Sequence, residues 1–319
     1  TSGQDGTSGT SGQTSTSGLS FNGTSGISGG TFTNQPDYLV RTTGTDTIQS
    51  IPFLFSDITN SRLGIGTTTP GAPLEVSGRV YQIGLGNSTL FGYQAGLNDD
   101  LTNNYNSFFG YQVGLANTTG YNNTGAGVQS LYYNSTGHSN TAHGMQVLYN
   151  NTTGTGNVGA GYRPSFRNIT GHYNVAIGYR PLYNNQSGNY TVAIGREALH
   201  NTATSYNVAV GSFSQYGNIT GTQNVSLGYN ALRFNTTGNF NTAIGTTALY
   251  SNTALGSTAV GHQSLYANTS ATGNTAMGYK ALRLNTVGTN LTATGYESSY
   301  SNTTGRDNTS TGYQARIRI

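Results

Sequence analysis

From Gly92 onward the apolar and polar positions of this chain recur in phase with a single glycine. The series runs Gly92, Gly110, Gly127, Gly144, Gly161, Gly178, Gly195, Gly211, Gly228, Gly245, Gly261, Gly278, Gly295 and Gly312. Ten of its thirteen intervals are 17 residues, two are 16 and one is 18. Around each glycine the pattern is Asn-(Thr/Val)-Ala-(apolar)-Gly-Tyr-x-(Ala/Ser)-Leu-Tyr-x-Asn-Thr-Thr-Gly, as at Asn174–Tyr179 and Asn274–Tyr279. Fixed-period self-similarity is the mark of a solenoid. The unit is too short for a helix plus a strand, and its two β-prone runs, each bounded by Asn or Gly, predict two strands and two turns per coil. The expected fold is all-β: a parallel β-solenoid, or β-roll, of about fourteen coils of 17 residues over 87–319. At about 4.8 Å per coil, thirteen steps span on the order of 60 Å.

Period-two alternation sets Val175 and Ile177, Val192 and Ile194, Val208 and Val210, and Val225 and Leu227 on one strand face. Ala176, Ala193, Ala209 and Ser226 lie on the other. The larger set is expected to fill the coil, and the small set to let a neighbour approach. A column of Leu131, Leu148, Leu182, Leu199, Leu232, Leu249, Leu265 and Leu282 supplies further apolar volume. Ordering the backbone costs about 1–2 kcal/mol per residue, which so narrow a coil offsets poorly, so association of several copies is expected.

Upstream the pattern changes. Residues 1–30 place Gly3, Gly6, Gly9 and Gly12, then Gly23, Gly26 and Gly29, three apart, without proline. This reads as a flexible or collagen-like tether. In the connector, 31–86, Tyr38-Leu39-Val40, Ile51–Phe55 and Leu74-Glu75-Val76 predict short strands.

Composition narrows the classes of function. Charged residues are only 7%, while 23 Tyr and 11 Phe argue against disorder. The 13 basic residues, 12 of them Arg, are dispersed singly without a basic tract, so no nucleic-acid partner is expected. Cysteine is absent, which removes disulfides and thiolate metal sites. No apolar run reaches the ~18 residues of a membrane span. The chain opens on Thr1 without a signal-like segment, so a soluble, processed product or fragment is expected.

Candidate chemistry sits in columns. Asn precedes the marker glycine by four residues in ten coils, including Asn140, Asn157, Asn174, Asn207, Asn224, Asn241 and Asn274, and follows it by seven in eleven. Stacked asparagines make amide ladders. Tyr follows the glycine directly in eight coils, Tyr162 and Tyr179 among them, and by five in seven. Such columns either brace the stack or, beside Arg163 and Arg180, offer rings to a glycan. Arg196-Glu197-Ala198-Leu199-His200 is the densest polar cluster, read as a candidate binding site or a surface ion pair. From Gly92 onward only five carboxylates occur, Glu197 and Glu297 lie six coils apart, and the five His occupy different repeat positions. No enzyme activity, cofactor or metal is expected. The Asn-x-Thr triplets match glycosylation acceptors but fall out of the repeat.

The run Asn241–Leu249, Asn-Thr-Ala-Ile-Gly-Thr-Thr-Ala-Leu, resembles the head repeats of YadA-like trimeric autotransporter adhesins, which also occur in phage tail fibres. Arg62–Pro70 with Ala72–Gly78 resembles a segment common in phage tail-fibre proteins. The resemblance implies a left-handed β-roll in each of three subunits and a receptor-binding role. With no heptad stalk and no C-terminal barrel, it favours a virion tail or head fibre. Its expected partners are a host cell-surface glycan or protein and, through the N-terminal end, other tail or capsid proteins. The ending at Ile319, part-way through a coil, would suit removal of a C-terminal chaperone. A bacterial surface adhesin or extracellular filament is the alternative. An ice-binding solenoid is a third reading, through Thr141, Thr242, Thr258, Thr275, Thr292 and Thr309. The Val residues sharing that column suggest that it points inward.

Overall fold

The computed structural model describes residues 37–43, 47–57, 62–65, 74–76, 87–100, 102 and 104–316. The expected tether, 1–30, and the last three residues lie outside these. The chain divides into two units, Thr1–Gln82 and Ile83–Ile319.

In the first unit, β1 (Asp37–Thr43), β2 (Thr47–Asp57), β3 (Arg62–Ile65) and β4 (Leu74–Val76) form one sheet in chain order. The β1–β2 and β2–β3 pairs are antiparallel, with Thr43 opposite Thr47 and Asp57 opposite Arg62. The β3–β4 pair is parallel. The apolar runs read as strands from sequence are strands.

In the second unit, fourteen parallel strands, from β5 (Thr89–Phe91) to β18 (Thr309–Thr311), form one sheet in strict chain order. Neighbouring coils pair in exact repeat register: Val175, Ala176 and Ile177 oppose Val158, Gly159 and Ala160 on one side and Val192, Ala193 and Ile194 on the other. The marker glycines fall in line, Gly127 facing Gly110 and Gly144, and Gly178 facing Gly161. Their conformation explains the residue. At Gly211 φ is +127° and an added Cβ would lie 2.5 Å from the carbonyl oxygen of Gly228, so no side chain fits.

Two expectations about the coil are corrected. Each coil contributes one strand, not two. The second run, expected as a strand, turns instead, with its leucines at left-handed φ, from 47° at Leu265 to 52° at Leu131. That conformation costs an L-residue about 1–2 kcal/mol, an amount that full burial of the leucine, worth about 1.5–3 kcal/mol, offsets. The alternation is also inverted. Ala176, Ala193, Ala209 and Ser226 are fully buried, whereas Val175, Val192, Ile194, Val208 and Val210 are half-buried and Ile177, Val225 and Leu227 are exposed. The bore is filled from the opposite wall by the leucine column, leaving room beneath the strand for little more than a methyl. The first coils prove the trade: Phe108 lies under the strand where later coils have Ala, and Gly114 stands in the leucine column because a Cβ there would meet the Phe108 ring. The Thr/Val column, expected inward, therefore faces outward too.

The remaining interior is two amide ladders. Where Asn stands four residues before the marker, its Oδ1 accepts from the backbone N–H of the equivalent residue one coil on. Examples are Asn157 N–H to Asn140 Oδ1 and Asn174 N–H to Asn157 Oδ1, both 3.0 Å. Asn207, Asn224, Asn241 and Asn274 act likewise, serving Asn224, Asn241, Ser257 and Leu291. The second ladder, seven residues after the marker, bonds side chain to side chain from Asn117 to Asn185 and again from Asn252 to Asn302, as from Asn151 Nδ2 to Asn134 Oδ1 at 2.7 Å. Both columns donate to one turn carbonyl per coil: Gly154 O accepts from Asn140 and Asn151, each at 2.9 Å. Coils of 16 residues keep this connection by shortening the turn after the second Asn, so that Ala254 O replaces the glycine carbonyl for Asn241 and Asn252. Within the Asn-x-Thr triplets, Asn134, Asn151, Asn168 and Asn235 have their amides buried in these ladders, which removes them as glycosylation acceptors of the folded chain.

Candidate binding surface

In-register parallel stacking places like side chains about 4.8 Å apart, close to the separation at which rings stack. Five residues after the marker, Tyr132, Tyr149, Phe166, Tyr183, His200 and Tyr216 form one continuous column, with centroids 5.0, 5.1, 5.2, 5.2 and 5.4 Å apart. Arg233 continues it 5.8 Å from the Tyr216 ring, and Arg283 bridges Tyr266 and Tyr300 at 5.3 and 5.7 Å. Directly after the marker, Tyr162 stacks on Tyr179 at 5.2 Å, and Tyr279, Tyr296 and Tyr313 stack at 5.0 and 5.2 Å. A third, exposed column holds Tyr173, Tyr190 and Tyr206. Within these columns the rings thus turn their faces on one another. Stacking within the columns is the bracing that the sequence also allowed.

Arginines knit the columns into one corner of the coil. Arg163 donates from Nε to Gln146 Oε1 at 2.6 Å, at the end of a ladder of Gln94, Gln112, Gln129 and Gln146. Its guanidinium lies 5.2 Å from the Tyr162 ring and 5.1 Å from Phe166. Arg180 sits 4.3 Å from the Tyr183 ring, and Arg167 approaches the same ring at 5.9 Å. Arg196 lies between Tyr179 and Phe213, at 5.9 and 5.3 Å, and Arg233 reaches Phe213 at 5.0 Å.

The Arg196–His200 run does not act as one cluster. Arg196 is exposed on the first tyrosine column, Glu197 occupies the arginine column at φ 53°, Ala198 and Leu199 are interior, and His200 is buried in the second ring column. There His200 donates from Nδ1 to the Arg180 carbonyl at 3.3 Å. Burial holds its pKa below the ordinary value, against the opposing pull of that hydrogen bond and of the Glu197 charge, while Arg180's charge adds to the lowering. The neutral ring is therefore favoured in the fold. Its stabilising contribution is complete above the unfolded value of about 6.5 and is lost as pH falls through the lower folded one. His200→Phe should accordingly show a smaller drop in melting temperature between pH 7.5 and 5 than the parent chain. Equal drops would remove this role.

Sequence reasoning missed Phe166, Arg167, Phe213 and Arg233 as members of this surface. The signal was present: each stands a whole number of repeats from a tyrosine or arginine of its column, but matching by residue type conceals it. A shallow groove of about 640 Å³ adjoins the corner at Arg167, lined also by Tyr133, Ser135, Asn150, Thr152 and Gln186. Among the described residues no three His, Asp or Glu side chains gather as a metal site. No protein-family model, curated protein or solved structure matches this chain, so its repeat geometry is what any functional reading has to build on.

Proposed function

We propose that the chain is a subunit of a homotrimeric fibre of a virion, a tail or head fibre that attaches to a host surface and exposes its arginine–tyrosine corner to the receptor. One observation carries the reading: the aliphatic strand face points away from the bore. Ile177 is 38% exposed, Leu227 48% and Met277 46%, in a parallel array that continues through the exposed Ile244 and the half-buried Val210 and Val260. An apolar stripe of that length on a regular sheet marks an association surface. Three such faces closing around an axis cover it without leaving an open edge, whereas a polar solenoid wall elsewhere on the coil stays in water. The same face would serve a bacterial adhesin; the fibre-like segment at 62–78 inclines the reading to a virion. Ice binding draws less support, because among the described residues outward Thr pairs occur at Thr292 with Thr294 and Thr309 with Thr311, while the three preceding coils pair Thr with Ile, Val or Met.

Light scattering on the native particle should give three times the 33.4 kDa chain mass. Leu227→Asp together with Ile244→Asp, both outward on the strand face, should shift that mass to the single chain or make it precipitate. A parent chain that runs as a monomer would remove the proposal.

A further inference from the structure

Across residues 101–296 the chain carries seven Lys or Arg and one carboxylate, Glu197. Five of the seven, Arg163, Arg167, Arg180, Arg196 and Arg233, lie on the coils between Gly161 and Gly245. Dispersed in sequence, they meet at one corner because the repeat brings them there. We infer that this corner binds an acidic polysaccharide, holding its carboxylate or sulfate groups on guanidinium groups of successive coils. The inference rests on the attachment reading above and gives the chemical class of the receptor.

Three observations carry it. The first is charge: Glu197 is the one acidic group set against five arginines, so the local field favours an anion. The second is pre-organisation. Arg163 is pinned by Gln146 and by two rings, Arg180 lies against Tyr183, and Arg196 and Arg233 flank Phe213. A guanidinium already held against an aromatic ring loses less freedom on binding, and its planar fork suits carboxylate and sulfate oxygens. Arg163 and Arg180 occupy the same column one coil apart, about 4.8 Å along the stack, so a polymer lying along the stack meets cations on two successive coils, with Arg196 one position away on the third.

The third is what surrounds the charge. Single-stranded nucleic acid binds through base stacking on free aromatic faces, and beside these arginines Tyr162 with Tyr179, Phe166 with Tyr183 and Tyr183 with His200 turn their faces on one another. The groove at Arg167 is lined by Tyr133, Ile169 and Gln186 and by Ser135, Asn150 and Thr152, whose side chains donate to coil carbonyls and keep their oxygens to accept from sugar hydroxyls. Arg167 and Arg180 share the Tyr183 ring, so groove and arginine corner are continuous.

The test uses the full chain on a biosensor against polygalacturonate, fully methyl-esterified polygalacturonate, heparin and oligothymidylate. Binding to polygalacturonate or heparin is expected, whichever acid group is preferred, with affinity falling as salt rises and none for the ester. Arg167→Gln with Arg196→Gln, both exposed side chains, should weaken binding about tenfold or more. Lys280→Gln with Arg306→Gln, an equal loss of charge elsewhere on the stack, should leave it unchanged. Equal losses in the two double variants, equal binding to the ester, or a preference for oligothymidylate would each overturn the inference. The salt titration of the parent chain needs no variant and stands if either pair fails to fold. Light scattering on the same sample separates the two readings. Three chains without polyanion binding keep the fibre and remove this ligand, and a single chain that binds the acidic polymer does the reverse.

Discussion

Asn140→Asp should lower stability by about 3–5 kcal/mol at neutral pH, and most of that loss should return on acidification. The native amide accepts from the Asn157 backbone N–H at 3.0 Å and from Asn157 Nδ2 at 3.1 Å, and it donates to Gly154 O at 2.9 Å and Asn123 Oδ1 at 3.1 Å. A carboxylate can keep the first two contacts. It cannot make the last two, and it sets a buried negative oxygen against two others. The introduced carboxyl therefore has a folded pKa raised above its unfolded value of about 3.9. For an acid so shifted, the penalty is full above the folded pKa and fades as pH falls through it, because the protonated group can again donate to Gly154 O. Thermal melts of variant and parent, compared at pH 7 and pH 3.5, should show a gap that narrows at the acid end; a constant gap would contradict the ladder. Leu291 takes the place of Asn in this column at a coil whose next residue along, Asn308, is only half-buried.

Gly211→Ala is expected to cost about 3–5 kcal/mol, combining the strain of φ +127° with collision of the new methyl against the Gly228 carbonyl, 2.5 Å away. That oxygen belongs to the backbone of the next coil and cannot retreat without pulling its strand off the sheet. Gly256→Ala separates the two causes. Its φ is +63° and nothing lies within 4 Å of an added Cβ, so only strain of about 1 kcal/mol remains. Circular dichroism melts of the two variants should differ by several degrees. Equal melting temperatures would mean that the close approach of marker glycines does not hold the stack.

Much of this fold can be read from the repeat alone. The glycine file, both asparagine columns and the buried leucines follow from spacing, because an in-register stack forces each position to satisfy its own copy above and below. Which strand face is interior does not follow. Alternation distinguishes two faces without saying which is dry, and Val-Ala-Ile reads as core-outward or core-inward equally well. Only the leucines arriving from the far wall, at a left-handed φ that β-propensity does not anticipate, decide that Ala176 is inside and Ile177 outside. The candidate surface divides similarly. Two of the three tyrosine columns are legible as same-residue recurrences, the column of Tyr173, Tyr190 and Tyr206 was not read, and Arg167, Phe213 and Arg233 join through contacts between different columns. His200 entered its column as a ring in a tyrosine's place, not as a partner of Arg196.

The turn that absorbs the missing residue in the 16-residue coils has an evolutionary corollary. Since neighbouring coils pair in repeat register, a tandem duplication of an Asn-bearing unit adds a coil able to bond to those on either side as Asn140, Asn151 and Asn157 do. Reach can then be adjusted by whole-number additions during replication, while slippage errors of one residue are confined to a loop that forgives them.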